Sequence, residues 1–458
     1  MYAVDSPFLT SNHPFMTDFV EPPKTWAGIR RQLGPGLIIS ANIVGSGELI
    51  VTTKLGADVG FIMLWFIILG CIIKVFVQLE LGRYAISKRK TTLEAFNSVP
   101  GPKLIVSWLI WIWSIMWVAI FFQLSGMVGG IAQVFGLAGS DLSHTVLAIM
   151  ITGSCAILLY VGQYKFIQNF SSIMIASFTV FTVFAVFSLY WTDYGITGAQ
   201  ITEGLSFHLP DDFMIAFAAF GVIGVGASEL IVYPYWCLEK GYGRNVGPDD
   251  GTDAWIQRAK GWIRVMKYDA MLSLVIYTGA TVAFYLLGAA ILNGRGIPVE
   301  NDNLMVNLSN LYSTSFGTVG LWIFIVGAFA VMYSTVFIAT ASNGRLGTDF
   351  LNLLGVIKLK NDIERQKAVR IGCVILPALF CIFYLTISKP VTLIAIGAVA
   401  QALMLPIISF ASLYFLYFQT HEQLRPRGSW IVFLWISAFA MTSVGAFQLY
   451  RAMSGFLE

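Results

Sequence analysis

The fold is decided by a short stretch that occurs twice, Gly45-Ser46-Gly47-Glu48-Leu49-Ile50-Val51 and Gly226-Ala227-Ser228-Glu229-Leu230-Ile231-Val232. Five of the seven positions are identical. Each copy places small residues and a glutamate inside an apolar run of about twenty residues, the length that a helix needs to cross hydrocarbon. Glycine weakens a helix by about 1 kcal/mol relative to alanine, and serine offers the backbone a competing hydrogen bond. Both copies therefore predict membrane helices that are interrupted.

The composition is that of a polytopic membrane protein. The 458 residues are 57% hydrophobic and 12% charged, whereas soluble domains carry roughly 25% charged residues. An ordinary soluble enzyme is thereby excluded, and the net charge of +3 gives no indication of a nucleic-acid partner. The five cysteines lie in or beside apolar runs without a CxxC pair, so we interpret them as core residues. The first 34 residues are polar and are expected to form a tail rather than a cleavable signal peptide.

Eleven membrane spans are expected in the bilayer. Their approximate bounds are 36–56, 60–82, 104–135, 143–162, 166–192, 212–237, 268–292, 316–343, 370–387, 391–418 and 429–450. With a cytoplasmic N-terminus, 23 of the 28 Lys and Arg lie in the tail, in cytoplasmic loops or, for Arg370, at the cytoplasmic end of a span, and three lie in outer loops. Basic loops stay on the cytoplasmic side. The N-terminus is therefore predicted inside and the C-terminus outside, in an integral protein of the cell (inner) membrane.

The two copies lie on spans 1 and 6, which are separated by five crossings. Because five is odd, the two spans run in opposite directions, and the halves that contain them are predicted to be repeats of inverted topology. The expected organisation is a cytoplasmic tail (1–34), a first repeat (35–192), a second repeat (193–419), and an extra helix with the C-terminus (420–458).

The interrupted segments are the candidate binding site. Unwound backbone at membrane depth is tolerated where it lines a cavity, and matched interruptions in inverted halves indicate a transporter's site. A carboxylate at the bilayer centre costs about 2.5–3.5 kcal/mol on insertion scales. Glu48 and Glu229 are therefore expected to face each other and to bind a cation or carry protons; the alternative is that each caps a half-helix or pairs with a lysine. The first candidate residues are Gly45, Ser46, Glu48, Gly226, Ser228 and Glu229.

Four further charged residues lie in or beside the expected spans. Lys74, inside span 2, could extend toward the cytoplasmic end or point inward and neutralise one of the glutamates. Lys54 and Asp58 are four residues apart and are expected to form a local ion pair. Asp269, at the expected start of span 7, is predicted to cap that helix, and the alternative is a gate on the pathway.

Glycine-containing segments flank the first copy: Leu33-Gly34-Pro35-Gly36-Leu37 precedes it, and Lys54-Leu55-Gly56-Ala57-Asp58-Val59-Gly60 with Leu64-Trp65 follows it. This pattern resembles the opening of the Nramp family of divalent-metal transporters. Similarity continues through spans 1 to 10 at Gln78, Arg83, Gly126, Tyr268-Asp269, Asn343-Gly344-Arg345 and Leu405-Pro406. The resemblance implies an all-α integral membrane protein with a LeuT-type 5+5 inverted repeat, to which the eleventh helix is added. It agrees with the topology above.

The chain departs from the family at the residues that define the family's chemistry. The Asp-Pro-Gly-Asn motif of span 1 reads Gly45-Ser46-Gly47-Glu48, and the Met-Pro-His-Asn motif of span 6 reads Gly226-Ala227-Ser228-Glu229. In span 3, the acidic pair of the family's proton path corresponds to Ile120 and Gln123. Gln401 lies near the family's metal-facing glutamine in span 10, which adds it to the candidate site. The usual Nramp proton pathway is therefore expected to be missing, and Gln123 becomes a possible gate with Lys74 and Asp269.

The ligands that remain are oxygens, which suit Mg, Ca and Mn better than soft metals. The Nramp-related magnesium transporters are similar in lacking the methionine and the acidic proton path. We therefore expect a transporter for a hard divalent cation, Mg or Mn, that works by alternating access, with Glu48 and Glu229 as metal ligands. The cation is the substrate, and no resident cofactor is expected.

Two other functions remain open at this point. A transporter of the same fold could carry an organic amine or another small solute, with Lys74 replacing the metal charge. A membrane sensor that kept only the fold is disfavoured, because the longest cytoplasmic loops have only some 30 residues. An enzyme is not expected, since no nucleophile elbow or phosphate loop is present. The expected partners are a small ion or solute and the lipid bilayer, without nucleic acid.

Overall fold

The computed structural model describes residues 19–162, 164–210, 214–299 and 303–454. Nearly all regular structure in these ranges is helical, which confirms the all-α expectation. The strands found there form one small antiparallel hairpin, in which β1 (Lys103–Leu104) pairs with β2 (Val106–Ser107).

The helices follow one another along the chain with short connections. Those of the first half are α1 (Trp26–Gln32), α2 (Pro35–Ile43), α3 (Thr53–Val59), α4 (Leu64–Lys88), α5 (Thr92–Asn97), α6 (Trp108–Leu137), α7 (His144–Val161) and α8 (Tyr164–Ser188). Those of the second half are α9 (Gly198–Gly204), α10 (Met214–Phe220), α11 (Ala227–Glu239), α12 (Tyr242–Val246), α13 (Asp253–Leu287), α14 (Leu304–Leu353), α15 (Asp362–Ile387), α16 (Pro390–Tyr414) and α17 (Ser429–Ser454). Three segments are π-helical, Ser46–Thr52, Gly288–Asn293 and Phe415–Gln419, and two are 3₁₀ turns, Leu189–Trp191 and Glu422–Leu424.

Eight helices in the described ranges are long and apolar enough to cross a membrane. They are Leu64–Lys88, Trp108–Leu137, His144–Val161, Asp253–Asn293, Phe316–Leu353, Asp362–Ile387, Pro390–Gln419 and Ser429–Arg451. A ninth candidate is the pair Pro35–Ile43 and Gly47–Val59, whose parts meet at an angle of 40°. The fifth and sixth spans expected from the sequence fall on α8 and on the pair of α10 and α11. The count of eleven spans stays a prediction.

The two repeated stretches lie in the middle of the helix packing. The first follows α2, which contacts α8, α11, α13 and α14, and the second opens α11, which also packs on α4 and α16. Glu48, Leu49, Leu230 and Ile231 are fully buried. The sequence repeat therefore marks the core of the molecule.

One helix begins much earlier than expected. The sequence placed the start of span 7 near residue 268, but α13 begins at Asp253, and Thr252 caps it by accepting a hydrogen bond from Trp255 N (3.2 Å). Apolar residues recur at helical spacing in this early part and are buried: Trp255, Ile256, Ala259, Trp262 and Ile263. Apolar residues at this spacing form one face of an amphipathic helix, so the helix extends beyond its apolar membrane segment.

The helix that follows the first repeated stretch, α3, contacts its neighbour backbone to backbone. A side chain added at Gly56 would overlap the main chain of residues 285–289, and one added at Gly288 would overlap that of Thr53. Helix α3 therefore lies directly on the π-helical segment Gly288–Asn293, with no side chain between them at these points.

Candidate functional site

The first repeated stretch changes its helical geometry at Gly45. Helix α2 ends at Ile43, Gly45 has φ −83° and ψ −100°, and the chain continues as the π-helical segment Ser46–Thr52. A side chain at Gly45 would overlap Thr335 of α14, so glycine allows the close approach of that helix. The side chain of Ser46 lies outside the described part of the structure.

The second repeated stretch begins directly after a non-helical segment. Helix α10 ends at Phe220 and α11 begins at Ala227, and residues 221–226 between them are called the α10–α11 connector below. Gly224, in its middle, has φ +60°, a conformation that favours glycine. Of the expected break at Gly226–Glu229, only Gly226 is non-helical, and Glu229 falls in the first turn of α11.

Glu48 binds the connector of the other half of the chain. Its Oε1 accepts a hydrogen bond from Gly224 N (3.0 Å), and its Oε2 accepts one from Thr52 Oγ1 (2.8 Å). The buried carboxylate thereby satisfies a main-chain amide that no helix satisfies. Glu48 links the first interrupted region to the second.

Lys74 binds the same connector from α4. Its side chain is fully buried, and Nζ donates to the main-chain oxygens of Phe220 and Ile223, the latter over 2.6 Å. Nζ also lies 4.4 Å from the ring centroid of Phe220. The interpretation that Lys74 extends to the cytoplasmic surface is wrong. Within the described ranges, no ion pair joins Lys74 to Glu48 or Glu229, so it does not bridge the two glutamates.

Glu229 lies in a different environment, between α2 and α11. Its Oε1 accepts a hydrogen bond from Asn42 Nδ2 (2.5 Å). Close by, Gln401 Oε1 accepts from Ser228 N (3.0 Å), and Gln401 Nε2 donates to Gln123 Oε1 (2.9 Å). Four predicted site residues are therefore brought together by α6, α11 and α16.

A small polar cavity of about 20 Å³ lies among these residues. Its polar lining consists of Asn42, Gln123, Ser228, Glu229, Thr335 and Gln401. The volume suffices for one particle of the size of a water molecule. Asn42 Oδ1 is buried and has no hydrogen-bond partner among the described residues. A buried acceptor of this kind is normally satisfied, so the cavity presents an oxygen that lacks a donor or a cation.

The cavity does not contain every predicted site residue. Glu48, Lys74, Gly45 and Asp269 are not among the residues that line it. The described ranges hold no group of three His, Cys, Asp or Glu side chains that could bind a metal. The expectation that the two glutamates share one site is therefore not met by a shared cavity in this conformation.

Two polar residues of the cavity were missed by the sequence reasoning. Asn42 is an amide within an apolar run, three residues before Gly45, and this position was a usable signal. Thr335 donates to Ala41 O (3.1 Å) from α14. Nothing in the sequence distinguishes Thr335 from other threonines in apolar helices.

Asp269 caps a helix, but not its own. Its Oδ1 accepts from Gly34 N (2.8 Å) and its Oδ2 from Gly36 N (2.5 Å), and Tyr233 donates to Oδ2 (3.1 Å). The prediction of an α13 cap is wrong because that helix begins sixteen residues earlier, at Asp253. Asp269 instead holds the first turn of α2 against α13. The expected ion pair of Lys54 and Asp58 is confirmed, with 3.0 Å between Nζ and Oδ2.

The geometry can be compared with known proteins. The divalent metal cation transporter MntH of Staphylococcus saprophyticus is 24% identical over 395 residues, covering 82% of this chain and 81% of that protein. The Eremococcus coleocola manganese transporter, solved in complex with an aromatic bis-isothiourea substituted compound, superposes with a TM-score of 0.70 at 15% identity, over 98% of this chain and 92% of that one. MhsT in complex with L-phenylalanine superposes with a TM-score of 0.55 at 15% identity, over 93% and 98% of the two chains. These superpositions show the fold, which is the expected LeuT type.

The family follows from the sequence as a whole. The profile of the natural resistance-associated macrophage protein-like (Nramp) family matches residues 36–451, from the first helix of the candidate site to the last turn of α17. Members of this family are membrane transporters and not enzymes. The chain belongs to the Nramp family.

Proposed function

We propose that this chain transports a hard divalent cation, Mg²⁺ or Mn²⁺, by alternating access, with Glu229 as its first ligand. The observation that carries the proposal is the cavity that contains the Glu229 carboxylate and the unpartnered Asn42 Oδ1. Two of the similar proteins are a divalent metal cation transporter and a manganese transporter, which supports a metal substrate.

The donor set favours a hard ion. The described residues that line the cavity supply carboxylate, amide and hydroxyl oxygens, and none of them carries a thiol, thioether or imidazole. Oxygen donors suit Mg²⁺, Ca²⁺ and Mn²⁺, whereas sulfur donors select softer metals. The volume of about 20 Å³ also matches a single ion better than an organic amine.

Glu48 is the second ligand of the proposal. It occupies the position in the first repeated stretch that Glu229 occupies in the second. Its two carboxylate oxygens are bound by Gly224 N and Thr52 Oγ1, so it reaches the ion only when these bonds open. Glu229, whose carboxylate already lines the cavity, binds first.

We also propose the topology that alternating access requires. Helix α8 forms span 5, and α10 and α11 are the halves of span 6. The repeats 35–192 and 193–419 then hold five spans each, and the extra helix of 420–458 is the eleventh, with a cytoplasmic N-terminus and an outer C-terminus. Maleimide labelling of single cysteines tests it: Glu203→Cys should react from outside the cell, and Asp250→Cys only after permeabilisation. The five native cysteines are buried and give little background. The reverse pattern would contradict the orientation.

Titration calorimetry on the purified protein tests the metal site. Mg²⁺ or Mn²⁺ should compete for the site at least as well as Cd²⁺, because oxygen ligands give a soft ion little advantage in affinity. Glu229→Gln and Glu48→Gln should each weaken binding by at least tenfold, which corresponds to about 1.4 kcal/mol. The matched control is Glu203→Gln, at an exposed glutamate of α9, which should bind like the wild type. An unchanged metal affinity in Glu229→Gln would refute the proposed site.

An organic amine or another small solute is the second candidate. The inward orientation of Lys74 favours it, since its ammonium group, on the same connector as Glu48, replaces positive charge that a divalent metal would supply, so that a solute with less charge than a metal ion suffices. MhsT, a protein of the same fold, was solved with L-phenylalanine. Absence of heat with every divalent ion, together with uptake of a small amine into proteoliposomes, would make this candidate the leading one.

A further inference from the structure

We propose that the ammonium group of Lys74 is the resident cation of the α10–α11 connector, occupying a monovalent-cation site formed by main-chain carbonyl groups. The chain then needs no Na⁺ or K⁺ at this segment. The inference goes beyond the transported substrate, because it concerns a different segment from the Glu229 cavity.

The first step is the negative character of the connector. The last carbonyl groups of a helix have no partner within the helix and carry the negative end of its dipole. Helix α10 ends at Phe220, and its end is followed by six non-helical residues. The main-chain oxygens of Phe220 and Ile223 therefore point to a place where a cation is stabilised, and Lys74 Nζ lies there.

The second step is the burial of the charge. Lys74 has no exposed surface, and a buried charge must be paired and hydrogen-bonded to be tolerated. Two carbonyl groups and the face of the Phe220 ring supply direct contacts, the latter as a cation–π interaction. Glu48 and Glu229 are the carboxylates whose charges act on Lys74.

The third step is that Lys74 and Glu48 both bind the α10–α11 connector. Lys74 binds connector carbonyls, and Glu48 binds the connector amide of Gly224. In transporters built of inverted repeats, unwound carbonyls and half-helix ends of this kind coordinate Na⁺ or H⁺. A tethered ammonium in that place makes the same contacts, cannot dissociate during transport, and excludes a free monovalent ion by occupying its volume and repelling its charge.

Binding of ²²Na⁺ to the purified full-length chain tests the proposal, with choline as the inert replacement. Wild type should show no saturable ²²Na⁺ binding. Lys74→Ala removes the charge and opens space, so it should gain saturable binding, and Na⁺ or K⁺ should raise its melting temperature whereas choline should not. Lys74→Met removes the charge but fills the space, so it should not gain binding. Val77→Ala, at a fully buried position of the same helix, is the control for added space elsewhere and should not gain it either.

Two results would overturn the proposal. One is saturable ²²Na⁺ binding in the wild type, and the other is a folded Lys74→Ala protein without Na⁺ or K⁺ binding. If Lys74→Ala folds only in Na⁺ or K⁺ and not in choline, the rescue supports the site, and failure to fold in all three salts counts against it. Uptake of Mn²⁺ into proteoliposomes by the wild type supplies a test without any variant. Replacement of Na⁺ and K⁺ by choline should change the uptake rate less than twofold. Loss of uptake in choline would refute the proposal that Lys74 is the resident cation.

Discussion

Gln401 and Gln123 are joined by a hydrogen bond of 2.9 Å, which links α16 to α6 at the wall of the polar cavity. The amide of Gln401 is fixed at both ends, because its oxygen accepts from Ser228 N at the start of α11. Since an amide group can donate only from nitrogen and accept only at oxygen, these two bonds determine its orientation. Three helices are thereby positioned around Glu229 by one side chain.

Replacing Gln401 with leucine should weaken both folding and metal binding. The change leaves the Ser228 amide without this acceptor, and an unsatisfied buried group costs about 1–3 kcal/mol. We expect a lower melting temperature and an affinity for Mn²⁺ reduced about tenfold, the equivalent of 1.4 kcal/mol. Gln401→Glu keeps the acceptor but loses the donor to Gln123, so comparison of the two variants by calorimetry separates the two bonds. An unaltered affinity in Gln401→Leu would contradict the proposed role.

Metal uptake should not acidify the interior of proteoliposomes. Ile120 and Gln123, at the positions of the family's acidic pair, both line the cavity and cannot carry a proton as carboxylates do. A pH-sensitive dye enclosed with the transporter should therefore show no change while Mn²⁺ enters. Acidification that persists in Glu48→Gln and Glu229→Gln would demonstrate a proton route through other residues.

Asp269→Asn should destabilise the attachment of α2. The carboxylate accepts from two amides of the first turn, Gly34 N and Gly36 N, and an asparagine offers only one acceptor oxygen. Loss of a helix cap typically costs about 1 kcal/mol. Thermal unfolding should show the loss, and Asp193→Asn, at an exposed position, should not. Equal stability of the two variants would show that the cap contributes nothing.

Replacing one partner of the ion pair between Arg345 and Glu239 should destabilise the protein more than replacing both partners. Arg345 donates from Nε (2.5 Å) and Nη2 (2.9 Å) to the two carboxylate oxygens, and both side chains are nearly buried. Removal of one partner of a buried pair costs about 3–5 kcal/mol because the other charge stays uncompensated. We expect Arg345→Ala to lower the melting temperature more than the double variant Arg345→Met with Glu239→Leu. Arg345→Lys should lie between them, since lysine cannot make both bonds at once. A double variant as unstable as the sum of single changes would contradict this coupling.

The sequence predicted the architecture where a pattern repeats. The identical residues of the two stretches and the position of the basic loops indicated inverted halves, and the family match and the fold agree with a LeuT-type transporter. It also predicted that Ser228, Glu229 and Gln401 belong to one site, with Gln123 as a possible gate, and the structure brings these four side chains together.

The sequence was less informative where packing decides. Whether Lys74 points inward depends on the carbonyl groups of Phe220 and Ile223, which are close in space but about 150 residues away along the chain. Asp269 was assigned to the wrong helix because the amphipathic start of α13 was interpreted as a loop. Thr335 carries no local signal, since its place at the cavity follows from the close approach of α14 to Gly45.

The contact of Gly56 with the segment after α13 has a consequence for experiments on the transport motion. Because main chain lies directly on main chain there, we expect α3 and the segment Gly288–Asn293 to move together as one unit. Spin labels at Asp58 and Arg295, which are exposed on the two sides of this contact, should keep one separation in every state. The distance within this pair is an internal reference, against which the displacement of α2 can be measured in the same sample.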